Sequence, residues 1–310
     1  DLEGQAEYVA DEANATLTLA LKPPILRSSI TVVSGSRQEE LQEDSAVKVE
    51  AITRAHILST GYERVSDVLQ EVPGVLVRRG STATVGGAQI QGVDSRQVLI
   101  LQDGLPVIGA RGIKSGAINL NRQSSDRLSR VEVAKGSGSS LYGSDAIGGV
   151  INMITREPSE PLQGGFSLSG GSLGMFDARG DIGGKHELFT YFLNMGQSRL
   201  DSYGLLPNAV TTVGPQVLRN DVLLKTRLRV LPKLSLGFVA NAYHNREEGR
   251  NAGETGLVSG LTNDSTQSYA VVADWVINAA TTLQARGFAA RYDENNRTTP
   301  IRGGPPSLSN

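Results

Sequence analysis

The C-terminal half of the chain alternates apolar and polar residues with a period of two, which leaves few folds open. One run places Phe176, Ala178, Gly180 and Ile182 on one side and Asp177, Arg179 and Asp181 on the other. Similar runs occupy 189–197, 224–230, 234–241 and 269–277, and about seven strands are predicted in all. Successive side chains of a strand point to opposite faces. The pattern therefore predicts an antiparallel sheet with one apolar and one polar face.

Two observations favour a membrane barrel over a soluble sandwich. Lys225, Arg227 and Arg229 share one face of a predicted strand, and a sandwich core would not enclose three such charges. The connections also alternate in length, short near 183–186, 231–233 and 278–281 but long over 200–220, 245–267 and after 293. Transmembrane barrels combine a polar interior with short periplasmic turns and long outer loops.

The N-terminal half predicts a mixed α/β unit of about 110 residues that ends near Thr155. A strand is expected over 47–52, a short helix from Thr53, and a second helix over 61–72 with an apolar stripe. That stripe consists of Val65, Val68, Leu69 and Val72. Strands follow over 88–92 and 97–101, and Asp103-Gly104 predicts a turn with positive φ.

The segment 131–155, VEVAKGSGSSLYGSDAIGGVINMIT, predicts two strands joined by a tight, glycine-dependent turn. Its Gly136-Ser137-Gly138 run lacks the third glycine and the following amphipathic helix of a dinucleotide loop. Ser140 and Ser144 have no histidine nearby to serve as a base. The segment therefore gives no basis for catalysis, and no catalytic residue is predicted.

Composition excludes several other classes of function. The net charge of −2 gives no electrostatic case for nucleic-acid binding. The chain has no cysteine and three scattered histidines, so neither a metal site nor a cofactor is predicted. It contains no apolar run of 18 residues and begins at Asp1 without a leader. We therefore expect a processed or cut piece, whose seven strands cannot close a barrel.

Two short strands are expected before the α/β unit. Thr16–Leu21 (TLTLAL) precedes two prolines and is interpreted either as the last strand of a small β-domain or as an isolated strand in a linker. Residues 29–37 (SITVVSGSR) precede an acidic, polar stretch. An extended segment between flexible residues can add as an edge strand to another protein's sheet, although an ordinary short strand has the same pattern.

Three ordered motifs carry a resemblance to a known family: 65–75 (VSDVLQEVPGV), 90–107 (IQGVDSRQVLILQDGLPV) and 131–155. In these the chain resembles the TonB-dependent outer-membrane receptors. The resemblance implies a small α/β plug domain followed by the N-terminal part of an antiparallel transmembrane β-barrel, about 7 of an expected 22 strands. It divides the chain into a remnant of a small carboxypeptidase-regulatory-like β-domain (1–27), a TonB box and linker (28–46), the plug (47–157) and a partial barrel (158–310).

The resemblance implies active transport across the bacterial outer membrane. Such a receptor binds a scarce extracellular ligand, here cobalamin, a ferric siderophore or a similar compound, and 140–155 is especially similar to the cobalamin-receptor group. Import uses energy from TonB, whose C-terminal domain is expected to grip the box formed by Ile30, Thr31, Val32 and Val33. The alternatives are a passive porin-like channel and an outer-membrane signalling or adhesin barrel.

The resemblance also implies two further groups of site residues. Ligand contacts are expected from the outer loops of the plug, at Arg79, Ser81, Thr82, Arg111, Lys114 and Ser115. The alternative is that these side chains are solvated or paired with acids of the barrel wall. Contacts between plug and barrel are expected from Arg130, Glu132 and Lys135. Gln91 and Lys135-Gly136-Ser137 depart from the family pattern, which predicts fewer ion pairs at that boundary.

Overall fold

The computed structural model describes residues 6–11, 16–21, 30–37, 39–77, 87–109, 118, 120–204, 211–253, 256–278 and 281–301. Strands β1 (Ala6–Asp11) and β2 (Thr16–Leu21) form an antiparallel hairpin. The predicted strand over 16–21 is therefore present. Strands β3 (Thr31–Val32) and β4 (Glu40–Leu41) form a second, shorter pair. None of the helices among the described residues has the length and apolar character needed to span a membrane.

The next part of the chain is an α/β domain built on a five-stranded sheet. Its helices and strands, in chain order, are β5 (Val49–Thr53), α1 (Arg54–Thr60), α2 (Val65–Leu69), β6 (Val75–Val77), β7 (Ala88–Ile90), β8 (Val98–Gln102), β9 (Leu105–Pro106), β10 (Leu128–Lys135), α3 (Ser139–Tyr142) and β11 (Gly149–Thr155). The sheet order is β5-β10-β11-β8-β9, in which only β11 and β8 run parallel. Strands β6 and β7 pair separately.

Each face of the five-stranded sheet is covered by a different part of the chain. One face packs against α1 and α2 through an apolar cluster that includes the predicted stripe of Val65, Val68, Leu69 and Val72. The other face packs against residues 30–32 through a smaller cluster that includes Val32. Helix α2 is shorter than the predicted 61–72, although Val72 beyond its end is buried as expected.

The segment 131–155 corrects one expectation. Its two strands are present and pair antiparallel, but a 13-residue connection with a helical turn, not a tight turn, joins them. The glycines still matter for packing, because a Cβ on Gly149 would lie 2.6 Å from the carbonyl oxygen of Ala134. At the predicted turn, Asp103 and Gly104 both have positive φ, +50° and +74°.

Seven antiparallel strands form the wall sheet, in sequence order with β12 and β18 at its edges. They are β12 (Gln163–Gly170), β13 (Phe176–Lys185), β14 (Phe189–Leu200), β15 (Gln216–Leu231), β16 (Leu234–Gly253), β17 (Gly256–Asn278) and β18 (Thr281–Pro300). The predicted loop over 245–267 is wrong, since β16 and β17 pair through this region up to Gly253 and Gly256. The residues after 293 likewise continue β18 to Pro300, paired with β17. The sequences of 245–267 and of the residues after 293 are mainly polar on both faces of the strand, so they have the composition that is typical of a loop.

The outer face of the wall sheet carries an apolar band. On β15 the outward positions from Val222 to Val230 are Val222, Leu224, Thr226, Leu228 and Val230. Eight steps of about 3.3 Å span about 26 Å along the strand. On β17, Tyr269, Val271 and Trp275 are exposed on the same face. An apolar band of about 25 Å is typical of transmembrane barrels.

Candidate functional site

The inner face of the wall sheet carries a row of polar side chains at one height. Residues directly opposite each other across five consecutive strands are Asp177, Ser198, Arg219, Asn245 and Asp264. The period-two alternation creates this row, because each of these residues follows an outward-facing residue on its strand. The α/β domain contacts this face chiefly through residues 121–127.

Arg179 on β13 is the centre of the contact. Its guanidinium lies 2.7 Å from Asp177 Oδ1 on its own strand and 3.2 Å from Asp126 Oδ1 of the α/β domain. It also donates to Ser124 Oγ and lies 3.7 Å from Asp221 Oδ1 on β15. One cation therefore joins two carboxylates of the wall to one of the α/β domain. Planar guanidinium groups suit such multiple contacts with carboxylates.

Asp126 is held in its ionised form at this boundary. Asn194 Nδ2 on β14 donates to Asp126 Oδ2 at 2.9 Å, and Ser124 Oγ donates to Asp126 Oδ1. Burial opposes ionisation, but the charge of Arg179 and these hydrogen bonds outweigh it, so the pKa of Asp126 lies below its ordinary value. The contact between domain and wall is therefore charge-assisted.

Two further arginines cross the boundary in opposite directions. Arg127, which is buried, donates from Nη1 to Asn241 Oδ1 on β16 at 3.0 Å. Arg219 on β15 donates from Nη1 to the carbonyl oxygen of Asn121 at 3.2 Å. Arg219 is fixed on the wall by Asn245 Oδ1 at 3.1 Å and Glu247 Oε1 at 3.3 Å. Arg127 is likewise positioned within its own domain, because its Nη2 donates to Gln123 Oε1 at 2.7 Å.

Lys225 joins the wall to the end of the α/β domain. Its Nζ lies 2.9 Å from Glu157 Oε1, 3.3 Å from Thr155 Oγ1 and 3.7 Å from Asp103 Oδ1. Asp103 in turn accepts from the Thr155 amide at 2.9 Å and from its hydroxyl at 2.6 Å. Burial raises the pKa of Glu157, but the Lys225 charge outweighs this and lowers it overall. This cluster fixes the strand end where the chain passes into the wall.

A cleft with about 120 Å³ of space for water lies beside these contacts, between the loop before α2 and strands β13 to β15. Its lining includes Arg64, Arg179, Arg219, Asp177 and Asp221. Burial and the neighbouring charge of Arg219 lower the pKa of Arg64. The cleft places space large enough for water beside the ionic contacts of the boundary.

Residues 30–34 are docked against the α/β domain on the face away from α1 and α2. Val32 is fully buried, whereas Thr31 is exposed. The Glu132 carboxylate accepts from the amides of Val33 at 3.0 Å and Ser34 at 2.9 Å, and from the Ser34 hydroxyl at 2.5 Å. Arg130 Nε donates to the other oxygen of Glu132 at 2.7 Å. The segment is thus held by one buried apolar side chain, Val32, and by hydrogen bonds to one carboxylate, Glu132.

Among the described residues, the partners of Arg130, Glu132 and Lys135 lie within the α/β domain. Arg130 pairs with Glu132, Glu132 accepts from residues 33–34, and Lys135 lies 3.2 Å from Glu50 on the neighbouring strand β5. All three side chains lie on β10, an interior strand that pairs with β5 and β11. The expected contacts of these three residues with the barrel stay predictions. The expected ligand contacts Arg79, Ser81, Thr82, Arg111, Lys114 and Ser115 lie outside the described residues and stay predictions.

The residues that do cross the boundary were not identified as site residues from the sequence. Among the described residues they are Asp103, Gly104, Asn121, Ser124, Asp126, Arg127, Thr155, Asn194, Asn241 and the wall cations Arg179, Arg219, Lys225 and Arg286. The alternation placed Arg179 and Lys225 on the polar face of their strands. Nothing local indicated that the segment 121–127, which has no strong periodic pattern, would provide their partners.

Sequence comparison matches residues 41–150 to the TonB-dependent receptor plug domain. The vitamin B12 transporter BtuB of Vibrio cholerae is 37% identical over 147 residues, covering 47% of this chain and 23% of that protein. The iron-regulated outer membrane virulence protein of the same species is 35% identical over 146 residues, covering 44% and 22%. The matched region thus spans about a quarter of these relatives' length.

Solved structures extend the likeness to the wall sheet. The siderophore receptor PiuA from Acinetobacter baumannii has a TM-score of 0.65 and 16% identity, covering 84% of this chain and 38% of that one. The ferric preacinetobactin receptor BauA from the same species has a TM-score of 0.58 and 13% identity, covering 88% and 51%. At this identity the likeness concerns the fold alone. It nevertheless covers both the α/β domain and the strands that follow.

Proposed function

We propose that this chain is the plug domain and the first seven barrel strands of a TonB-dependent outer-membrane receptor. The intact receptor imports a scarce extracellular small molecule, using energy delivered by TonB. The α/β domain is hereafter the plug. The proposed ligands are cobalamin or a ferric siderophore, the compounds named for its relatives BtuB and the siderophore receptors. An outer membrane holds no nucleotide supply, so uptake against a gradient needs work transmitted from elsewhere.

The observation that carries the proposal is the chemistry of the plug–wall boundary. Each described hydrogen bond across it involves a charged or amide side chain, such as Arg179 with Asp126 or Arg127 with Asn241. Polar groups can exchange a protein partner for water at small net cost, whereas an apolar interface would lose its burial. The boundary is therefore suited to a plug that is held firmly at rest and moved under load.

The second support is the strand at residues 30–33, proposed as the TonB box. Strand addition gives affinity through backbone hydrogen bonds and tolerates varied side chains. Residues 30–33 precede the plug and are already extended at Thr31 and Val32. Such a segment provides a directional attachment point for a pulling partner. A passive porin or an adhesin barrel has no use for this combination of attached plug and grip.

The test is an uptake assay on the full-length receptor with radiolabelled cobalamin and a ferric siderophore. We expect energy-dependent uptake of one of them, abolished by a protonophore. The variant Thr31→Pro removes a backbone donor from the box and should abolish uptake while leaving ligand binding unchanged. The control Thr31→Val keeps the donor and the β-branched shape and should transport normally. Uptake that persists with the protonophore and in Thr31→Pro would establish a passive channel instead.

A further inference from the structure

Arg179 uses its three guanidinium nitrogens on two different parts of the chain. Its Nε and Nη2 donate to Asp177 at 2.7 and 2.9 Å, and Nη2 also donates to Ser198 Oγ at 2.9 Å, so the wall holds both nitrogens. Its Nη1 donates instead to the plug, to Ser124 Oγ at 2.5 Å and to Asp126 Oδ1 at 3.2 Å. Movement of the plug therefore removes the described hydrogen-bond partners of Nη1 and leaves those of the other two nitrogens in place.

Asp221 on β15 is a second wall carboxylate beside that nitrogen. Its Oδ1 lies 3.7 Å from Arg179 Nη1, which is beyond hydrogen-bond distance. Asp221 is 8% exposed, and its Oδ2 is buried with no hydrogen-bond partner among the described residues. A buried carboxylate oxygen without a donor is costly, because it has given up its hydrogen bonds to water. Asp221 therefore has an unused capacity to accept a hydrogen bond from the adjacent guanidinium.

A glycine on the strand between them allows the two side chains to approach. Gly196 on β14 lies directly opposite Arg179 on β13 and directly opposite Asp221 on β15. Strands two apart in a sheet are separated by about 10 Å, and a side chain on the middle strand ordinarily fills the space between them. A Cβ on Gly196 would lie 2.9 Å from both Arg179 Nη1 and Asp221 Oδ1. At this position no side chain therefore separates the cation from the carboxylate.

Movement of the plug takes an opposite charge away from each of these two groups. Asp126 of the plug is the partner that Arg179 Nη1 loses. Arg127 of the plug is a second cation whose charge acts on Asp221, and it leaves with the same segment. The wall then retains one cation and one carboxylate, close together and both without their plug partners. Their mutual attraction is strong because little water surrounds them.

We propose that Asp221 is a positioning residue that takes over Arg179 Nη1 when Asp126 leaves with the plug. The inference rests on the proposed function, because it concerns the movement of the plug during import. Breaking a buried ion pair without replacement is strongly destabilising. Exchange of one carboxylate for another keeps Arg179 paired in both states of the receptor. Asp221 therefore stabilises the released state of the plug and not its docked state.

The first experiment determines the position of Arg179 in crystals of the full-length receptor without ligand. In the Asp126→Ala variant, we expect the distance from Arg179 Nη1 to Asp221 Oδ1 to close from 3.7 Å to about 2.8 Å, the length of a charge-assisted hydrogen bond. Ser198→Ala is the matched control, because it removes a partner of Nη2, and it should leave the distance near 3.7 Å. A distance that does not shorten in Asp126→Ala would overturn the proposal.

The second experiment follows opening of the plug by hydrogen–deuterium exchange of plug amides in the same full-length receptor. Asp221→Asn keeps the size of the side chain and removes the charge that pairs with Arg179 in the released state. We expect exchange to be about tenfold slower than in the parent, because a hydrogen bond to a charged group is lost from the released state alone. A carboxylate that only held the docked contacts together would give faster exchange. Faster or unchanged exchange would therefore contradict the proposal.

A double variant tests whether Asp221 acts through the partner of Arg179. In the Asp126→Ala receptor, Arg179 is already paired with Asp221 while the plug is docked. Adding Asp221→Asn should then change the exchange rate by less than about twofold. An equal slowing in the parent and in the Asp126→Ala receptor would exclude the exchange of partners. Neither experiment uses ligand, TonB or uptake, so failure of the proposed function would be seen separately in the uptake assay.

Discussion

Arg179 of the barrel wall and Asp126 of the plug form an ion pair of 3.2 Å that crosses the boundary between the two parts of the chain. Arg179 is simultaneously held by Asp177 of its own strand at 2.7 Å. The wall thus presents a fixed cation to which the plug docks a single carboxylate. Arg179 therefore has one carboxylate partner on its own strand and another on the plug.

Removing Arg179 should loosen the plug strongly. Arg179→Met leaves the half-buried or buried carboxylates of Asp126, Asp177 and Asp221 without their shared cation, and we expect the free energy of plug opening to fall by about 3 kcal/mol. The measurement is hydrogen–deuterium exchange of plug amides in the purified full-length receptor. Arg199→Met is the matched control, since its pair with Asp201 is exposed. That control should change the same free energy by about 0.5 kcal/mol or less.

Docking of the plug should weaken in acid. The folded pKa of Asp126 is below its ordinary value, because Arg179 and two hydrogen bonds outweigh the effect of burial. The ionised carboxylate therefore stabilises docking above the unfolded pKa of about 3.9, and the stabilisation is lost as the pH falls through the lower folded pKa. Exchange protection followed from pH 7 to pH 3 should drop below about pH 4. Asp126→Asn should show a smaller drop, and equal drops in both proteins would contradict the assignment.

Gly149 should tolerate no side chain. Its φ is +138°, and a Cβ there would lie 2.6 Å from the Ala134 carbonyl oxygen and 2.9 Å from Ile90 Cδ1. We expect Gly149→Ala to lower the free energy of plug unfolding by about 3 kcal/mol, combining backbone strain and overpacking. Gly136→Ala is the control, because Gly136 also has positive φ but no atom within 4 Å of the added Cβ. It should cost about 1 kcal/mol. Urea unfolding, monitored by proteolysis of the plug, measures the change in the free energy of unfolding for each variant. Equal changes in the two variants would exclude the close contact at Gly149.

A charge on the outer face of the wall should be costly only within the apolar band. Val271 on β17 is exposed on that face opposite Phe238, and Val271→Arg should lower barrel stability by about 2–4 kcal/mol. Gln267→Arg lies on the same face of the same strand, level with Val222 where the band ends, and should cost about 1 kcal/mol or less, as near a membrane interface. Equilibrium unfolding from lipid vesicles compares the two. A reversed order would mean that the band lies elsewhere.

Much of the architecture followed from local pattern. The alternation in Phe176–Ile182 predicted both strand and face correctly, and the wall sheet has the expected seven strands. The pattern was wrong over 245–267, where β16 and β17 continue beyond the apolar band with polar residues on both faces. A strand that extends beyond the apolar band has no apolar face, so its sequence lacks the two-residue alternation that predicts a strand. It still pairs, because the backbone hydrogen bonds of a sheet do not depend on side-chain polarity.

The site was less accessible from sequence. Glu132 was recognised as an important charge, but its partners, Val33 and Ser34, are 99 and 98 residues away. The resemblance assigned this residue to the contact between plug and barrel, and only the folded structure shows that it receives the backbone amides of Val33 and Ser34. Asp126 was not identified at all, because its role depends on the wall strands that face it.

By itself, the sequence determined the two structural periods of this protein: the apolar stripe of Val65–Val72 that requires a helix packed on a sheet, and the two-residue alternation that requires a wall with unlike faces. These are local properties, since each depends on side chains within a few residues of one another. Only the tertiary structure decided which charges meet, such as Arg179 with Asp126 and Glu132 with Ser34. Pairing between distant residues depends on sheet order and on burial, which no single segment of the chain encodes.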